Sequence, residues 1–349
     1  MRNLHIIDVS ATLHAGAIVF SKNNSHGFPT GSIFNTLNCI TSKDFDAKQD
    51  QVLFCFDRKT RKLDENGEST GYKSGRKLWN ASMYYQAKLL EEMLEKCGFY
   101  TFHQEDRESD EGIIQYARKY IDKFQFTYIR GTDRDLASVV TPKSTLVSTS
   151  SHIQNVTYEN FSYSVAPGEY VPYNAILLYK IFRKDTSDSV KGILTPTEFQ
   201  NLIKELKEAQ FPLHLLNTEN AIRFVIDRFK CDKEAKATLW DNYSLVMPRE
   251  VDMPHDLLKP APIDYEMLER YCSVLSLSMF AKKFGVKLTG EVDEEWYNDL
   301  IEIANVIKED LLESNKDNAN YKLPKDFIPK YFKLVSKPCQ VGFFDTYFD

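Results

Sequence analysis

The chain has 349 residues, of which 42% are hydrophobic and 27% charged, enough for one large α/β domain with additions or for two modest domains. No apolar run approaches the ~20 residues that cross a bilayer, so a monomeric protein of the cytoplasm with no membrane partner is expected. The net charge of −6 argues against a nucleic-acid partner only as a sum. Between Arg58 and Lys77 seven basic side chains (Arg58, Lys59, Arg61, Lys62, Lys73, Arg76 and Lys77) face three acidic ones, and the distribution of charge decides its effect.

In the opening MRNLHIIDVSATLHAG, Asp8 interrupts a short apolar stretch, so the segment reads as a buried strand and not as a signal peptide. QVLFCF before Asp57 reads as a second buried strand, and a basic, glycine-containing loop follows at about 58–80. A helix is predicted over 81–96, closed by Gly98, and a shorter one from Ser109 to Tyr120. FTYIRG before Thr132-Asp133 makes a third strand. All three strands lack polar alternation, as parallel strands covered on both faces do, and strands alternating with helices predict an open α/β sheet.

From about residue 174 the pattern turns helical: 174–183, then the polar turn KDTSDSVKG, then a helix starting near Thr195-Pro196-Thr197-Glu198. Further helices are expected at 219–230, 264–284 and 294–313, with an extended, aromatic-ended tail over 315–349. The expected division is therefore 1–175 as an α/β domain, 176–314 as a helical domain, and 315–349 as a tail. Six cysteines without a C-x-x-C pair read as reduced core thiols, and seven histidines show no zinc spacing.

In open α/β sheets ligands bind beyond the carboxyl ends of the strands, which is where Asp8, Asp57 and Asp133 fall. A single aspartate there is most simply a turn or N-cap residue. Three in succession, with Glu108, Asp110, Glu111, Asp135, Asp185 and Asp188 nearby in the sequence motifs, favour a site. Carboxylates a few ångströms apart repel by several kcal/mol, so such a pocket requires cations. With His and Cys absent from the set, the match is Mg²⁺ or Mn²⁺, and two ions about 4 Å apart would suit phosphoryl chemistry.

These residues resemble the 5′ nuclease family, which includes the flap endonucleases, the 5′ exonuclease domain of bacterial DNA polymerase I, and the exonucleases called ribonuclease H in T-even phages. IIDVSATLHAG resembles the family's first strand and its metal-binding Asp, FPTGSIFNTL the segment after it, and FCFDRK the second strand with Asp57. GYKSGR (71–76) is similar to the Tyr-Lys-x-x-Arg at the base of the helical arch. RESDEG, GTDRDL and KDTSDSVKG resemble the three later acidic motifs, and the ordered set covers roughly residues 4–200.

The resemblance implies a PIN-like 5′ nuclease fold with a helical arch at about 58–80 and a helix-turn-helix-like duplex-binding motif in the helical region. It implies metal ligation by Asp8, Asp57, Glu108, Asp110, Glu111, Asp133, Asp135, Asp185 and Asp188, with Lys73, Arg76 and Asp133 catalytic. Arg58, Lys59, Arg61, Tyr72, Lys73, Arg76, Lys77, Lys191 and Gly192 would bind nucleic acid. Two departures stand out. Glu111 replaces the family's usual Asp, and Gly192 is followed by Ile193-Leu194-Thr195-Pro196 where the family has a glycine-rich hairpin that binds a monovalent cation.

The terminal aromatics resemble clamp-binding peptides of phage replication proteins, which implies partner contacts through Gln340, Phe343, Phe344, Tyr347 and Phe348 and a sliding clamp as partner, alongside a single-strand binding protein. The expected activity is 5′→3′ exonuclease and flap endonuclease action on flapped DNA and RNA-DNA hybrid during replication or repair, in a phage setting. A PIN-type ribonuclease is the alternative within enzymes, but it would be shorter and lack GYKSGR. A non-catalytic replisome protein would have no reason to keep so repulsive an acidic set.

Overall fold

The computed structural model describes residues 2–20, 24–25, 28–57, 81–148, 155–157, 163–166, 169–172, 175–183, 190, 192–208, 218–228, 231–289 and 294–314. In chain order the elements are β1 (Leu4–Asp8), α1 (Val9–Val19), the short strands β2 (Asn24–Ser25) and β3 (Phe28–Pro29), α2 (Gly31–Asn38), β4 (Gln51–Cys55), α3 (Ala81–Lys96), β5 (Tyr100–Phe102), α4 (Ser109–Tyr120) and β6 (Thr127–Arg130). A turn of 3-10 helix at Arg134–Val139, β7 (Ser144–Val147), β8 (Tyr163–Ala166), β9 (Glu169–Val171), α5 (Ile176–Phe182), α6 (Pro196–Glu208) and α7 (Thr218–Arg228) follow. The chain continues through α8 (Lys233–Val246), α9 (Tyr265–Val274), α10 (Ser278–Lys283) and α11 (Glu294–Ser314).

The central sheet has five strands in the order β5-β4-β1-β6-β7, and the β1/β4, β1/β6 and β6/β7 pairs are parallel. β1 and β4 are buried along their whole length, in keeping with the Leu-, Ile-, Val- and Phe-rich content of strands covered on both faces. Register places Asp8 beside Cys55 and Ile7 beside Arg130. Three adjacent strands thus finish level, and their following residues, Asp57 and Asp133 among them, leave the sheet at the same edge as Asp8. The fold is the expected α/β type, a mainly parallel sheet flanked by helices.

The described residues of Met1–Ala11, Gln51–Leu78 and Phe102–Lys259 form one compact unit, and those of Thr12–Asp50, Trp79–Thr101 and Pro260–Asp349 form a second, so the two interleave along the chain. The first unit holds β1, β4, β6 and β7 and a helical core in which Ile181, Phe182, Phe199, Leu202, Ile222 and Leu239 are buried. The buried Asn242 amide of α8 donates to the Ile181 carbonyl of α5 at 2.8 Å. In the second unit the Ser32 N-H donates to Gln86 Oε1 at 2.8 Å, tying α2 to α3, and Phe99, Phe280 and Phe284 pack together.

Several boundaries follow local rules. Gly98, at φ 77°, ends α3: its N-H reaches the Glu95 carbonyl at 2.9 Å and the Phe99 N-H reaches that of Leu94 at 2.9 Å, the paired bonds of a glycine C-cap. Thr195 and Glu198 form the predicted cap of α6, with the Thr195 N-H and hydroxyl both donating to Glu198 Oε2 at 2.7 Å. The single helix expected over 264–284 is broken. Ser276 adopts φ 56° and the Leu277 N-H closes back on the Cys272 carbonyl at 2.9 Å, which separates α9 from α10. The apolar periodicity continues through the break, and the bond from the Ser25 hydroxyl to the Val274 carbonyl at 2.7 Å comes from sequence 249 residues away.

Residues 247–259 carry no regular structure, yet they are pinned along the first unit. Gln115 Nε2 donates to the Arg249 carbonyl at 3.3 Å, the Asp252 N-H to Gln104 Oε1 at 2.9 Å, and Tyr120 Oη to the His255 carbonyl at 3.2 Å. Arg2 Nη2 reaches the Leu257 carbonyl at 3.3 Å. Among the described residues all cysteines are free thiols, and no helix is long and apolar enough to cross a membrane.

Gly112 on α4 is a point of close approach. A Cβ there would lie 2.2 Å from Cε1 of Phe102, whose buried ring is itself wedged edge-on against Tyr116 at 5.9 Å. Gly112→Ala should gain up to ~1 kcal/mol of helix propensity but lose ~1–3 kcal/mol to overpacking. The expected result is a lower denaturation midpoint, and a midpoint at or above wild type would show that the ring yields freely.

Candidate active site

Asp8 ends β1 and is only 6% exposed. Its Oδ1 accepts from the Ala11 N-H at 3.2 Å, so it caps α1, and from the Ser109 hydroxyl at 3.3 Å. Asp57 lies two residues beyond β4, and its Oδ1 accepts the Ser109 N-H at 2.7 Å. Ser109, the first residue of α4, therefore bridges two strand-end carboxylates, with the positive end of the helix aimed at them. Asp133 caps the 3-10 turn by accepting the Asp135 N-H at 3.0 Å. The capping role and the clustering coexist, since the same turn that needs a cap also turns the carboxylate toward its neighbours.

Burial, then the charges of Asp57 and Asp133, push Asp8 up to about 7, against the lowering effect of the Ala11 N-H and the Ser109 hydroxyl. Burial, then Asp8 and Asp57, also pushes the Cys55 thiol up, which keeps it protonated and inert beneath the site.

A pocket beside this cluster is lined by Glu108, Asp110, Glu111 and Asp135, together with Leu177 of α5 and Met247. Asp110 Oδ1 accepts the Glu111 N-H at 2.7 Å. Asp135 Oδ2 pairs with Lys180 Nζ of α5 at 2.7 Å, with 14% and 12% of the two side chains exposed. Glu111 is almost fully buried and grips Arg249, with Oε1 accepting from Nε at 2.8 Å and Oε2 from Nη2 at 2.9 Å. Burial works to raise the Glu111 carboxyl, but the Arg249 guanidinium together with the Glu108 and Arg249 N-H groups holds it below its usual range.

Of the residues singled out in the sequence, Asp57 and Asp133 each act on Asp8, and Glu108, Asp110, Glu111 and Asp135 share one pocket. Gly192 is exposed and leads into α6, where the Glu198 carboxylate already sits on the N-terminal turn. Asp185, Asp188, Lys191 and the loop residues Arg58, Lys59, Arg61, Tyr72, Lys73, Arg76 and Lys77 lie outside the described residues, as do Gln340, Phe343, Phe344, Tyr347 and Phe348. Sequence reasoning missed Lys180 and Arg249. Lys180 is one cation near a helix end, and Arg249 sits in a segment with no periodicity, so neither carried a local signal.

The donor set fits a hard divalent cation. Its ligands are carboxylate oxygens, and Asp8 is held in a nearly dry place beside two other acids. A cation would relieve that repulsion.

Residues 3–165 match the family model of the 5′-3′ exonuclease N-terminal, resolvase-like domain. Among solved structures, the chain is similar to the 5′-exonuclease of bacteriophage T5 with bound zinc, at 18% identity and a TM-score of 0.47, covering 81% of this chain and 97% of that one. It is also similar to the T5 flap endonuclease in a pseudo-enzyme-product complex with DNA and metal ions, at 17% identity, a TM-score of 0.48 and coverage of 81% and 97%. Human GEN1 in complex with Holliday junction DNA is similar at 15% identity and a TM-score of 0.44, over 80% of this chain and 70% of that one. Residues 3–165 carry the N-terminal, resolvase-like domain of 5′-3′ exonucleases, which makes the chain a nuclease by class.

Proposed function

We propose that this protein is a metal-dependent 5′-3′ exonuclease and flap endonuclease, hydrolysing phosphodiester bonds at 5′ ends, flaps and RNA primers in DNA replication or repair of a phage type. The observation that carries this reading is the convergence of Asp8, Asp57 and Asp133 at the carboxyl ends of three adjacent parallel strands, with the amino end of α4 brought to them by Ser109. Asp8, Asp57, Asp133, Asp135, Glu108 and Asp110 would hold Mg²⁺ or Mn²⁺, two ions in all. Bound there, the ions would supply an activated water and offset charge on the phosphate.

The chain's own residues do the rest. Ser109 orients Asp8 and Asp57 through its hydroxyl and its N-H. Lys180 fixes Asp135 through an ion pair at 2.7 Å. Leu177 and Met247 add apolar lining to the pocket beside the acids. Lys73 and Arg76 are the expected phosphate contacts from the basic loop, and the terminal aromatics the expected clamp contact.

The test is cleavage in Mg²⁺ of a 5′-flapped duplex, a nicked RNA-primed duplex and free single-stranded RNA. Wild type should cut the first two, and Asp133→Ala should cut them about 10³-fold more slowly, the rate equivalent of several kcal/mol of lost charge stabilisation. Cleavage confined to free RNA, or a variant as active as wild type, would reject the proposal.

A further inference from the structure

We propose that Arg249 and Glu111 form a clamp that positions the metal-binding end of α4, and that Glu111 is an anchor for this clamp and not itself a metal ligand. The inference rests on the reading of the neighbouring carboxylates as a metal centre. An ionised carboxylate offers about four lone-pair sites. On Glu111 four donors occupy them: Oε1 accepts the Arg249 N-H at 3.1 Å and Arg249 Nε at 2.8 Å, and Oε2 accepts Arg249 Nη2 at 2.9 Å and the Glu108 N-H at 3.1 Å. No site on Glu111 is left for a cation.

The bonds run in the right direction for positioning. The Glu108 N-H bond closes the capping box that starts α4, so Glu111 fixes the backbone of the turn that carries Glu108, Ser109 and Asp110. Arg249 then ties that turn to residues outside the helix. Its Nη2 also donates to the Asp106 carbonyl at 2.6 Å, and the neighbouring Arg107 Nε donates to the Glu250 carbonyl at 3.0 Å. The segment over 247–259 is thereby anchored on both sides of the helix start, and its own footing continues to Tyr120 and Arg2. A fork-to-carboxylate pair of this kind has one geometry, which a lysine cannot reproduce. The extra methylene of Glu over Asp lets the last residue of the acidic motif reach both its own N-cap and the guanidinium.

The experiment counts bound Mn²⁺ and measures its affinity in the full chain by electron paramagnetic resonance, for wild type, Arg249→Ala, Arg249→Lys, Glu111→Ala and the double variant with both alanines. Thermal melts confirm folding, and Arg249→Gln, which keeps side-chain bulk, replaces Arg249→Ala if the latter does not fold. Each alanine variant should bind as many ions as wild type but ~10–100-fold more weakly, the usual cost of losing a group that orients ligands. The double variant should match the singles, because either change opens the same clamp, and Arg249→Lys should recover part of the loss. A lost ion in Glu111→Ala with normal binding in Arg249→Ala would make Glu111 a ligand and overturn the clamp. So would losses that multiply in the double variant. Wild type binding Mn²⁺ with all variants unchanged would remove the clamp alone, whereas wild type binding none would remove the metal reading and the clamp with it.

Discussion

Replacing Asp8 with Asn is expected to slow cleavage by about 10³-fold or more while making the metal-free protein more stable above neutral pH. The two effects share one cause. Burial and the neighbouring Asp57 and Asp133 charges raise Asp8 from an ordinary 3.8 to about 7, so the folded chain holds a proton there that the unfolded chain releases. A raised folded value contributes stability that is fully present below the unfolded value and is lost as pH rises through the folded one.

The cost of Asp8 therefore grows from about pH 4 and levels off above about pH 7, where it amounts to at most ~4 kcal/mol. Asparagine removes the charge and so removes the cost. In EDTA the D8N melting temperature should exceed that of wild type by a margin that widens from pH 4 to pH 7 and then stays constant. Adding Mg²⁺ should raise the wild-type value and leave the variant behind, since a ligand stabilises only the chain that binds it. A variant less stable than wild type at pH 8 in EDTA would show that Asp8 is not under electrostatic strain.

Phe199→Ala carries the second large effect, on stability. Phe199 of α6 is fully buried, and its ring meets Tyr179 edge-on at 5.4 Å and 85°. Truncation removes that contact and leaves a cavity among Ile181, Leu202 and Ile222, a loss of ~3–5 kcal/mol. Tyr179 precedes Lys180, so the loosened helix is the one that delivers the Lys180-Asp135 pair. The expected result is a strongly lowered urea midpoint with cleavage per folded molecule nearly unchanged, because the pair is held by a 2.7 Å contact within a still-folded site. An unchanged midpoint would mean that the helical core is not built around this ring.

Much of the sheet was legible because parallel strands buried on both faces lack polar alternation and are rich in apolar residues, as β1, β4 and β6 are. β5 and β7 were not, being shorter or more polar: Ser144 and Thr145 gave β7 no apolar run. α3 and α4 showed both periodicity and end signals. α1 has no such contrast between faces, since VSATLHAGAIV is apolar nearly all round, and it went unread. α8 was also missed, although Asp232 caps it by accepting the Ala235 N-H at 2.8 Å, because its burial is confined to a narrow stripe at Leu239 and Asn242.

The sequence by itself determined the strand-end aspartates, the acidic first turn of α4 and the chemistry that such a set of hard oxygen donors can support, since each depends on residue type and near-neighbour spacing. Only the tertiary structure decided how these acids are managed. Ser109 is shared by Asp8 and Asp57 across 101 and 52 residues of sequence, Lys180 reaches Asp135 across 45, and Arg249 reaches Glu111 across 138. Charge pairing inside a dehydrated site is a matter of distance in space, and no local pattern in a chain encodes which distant cation will arrive there.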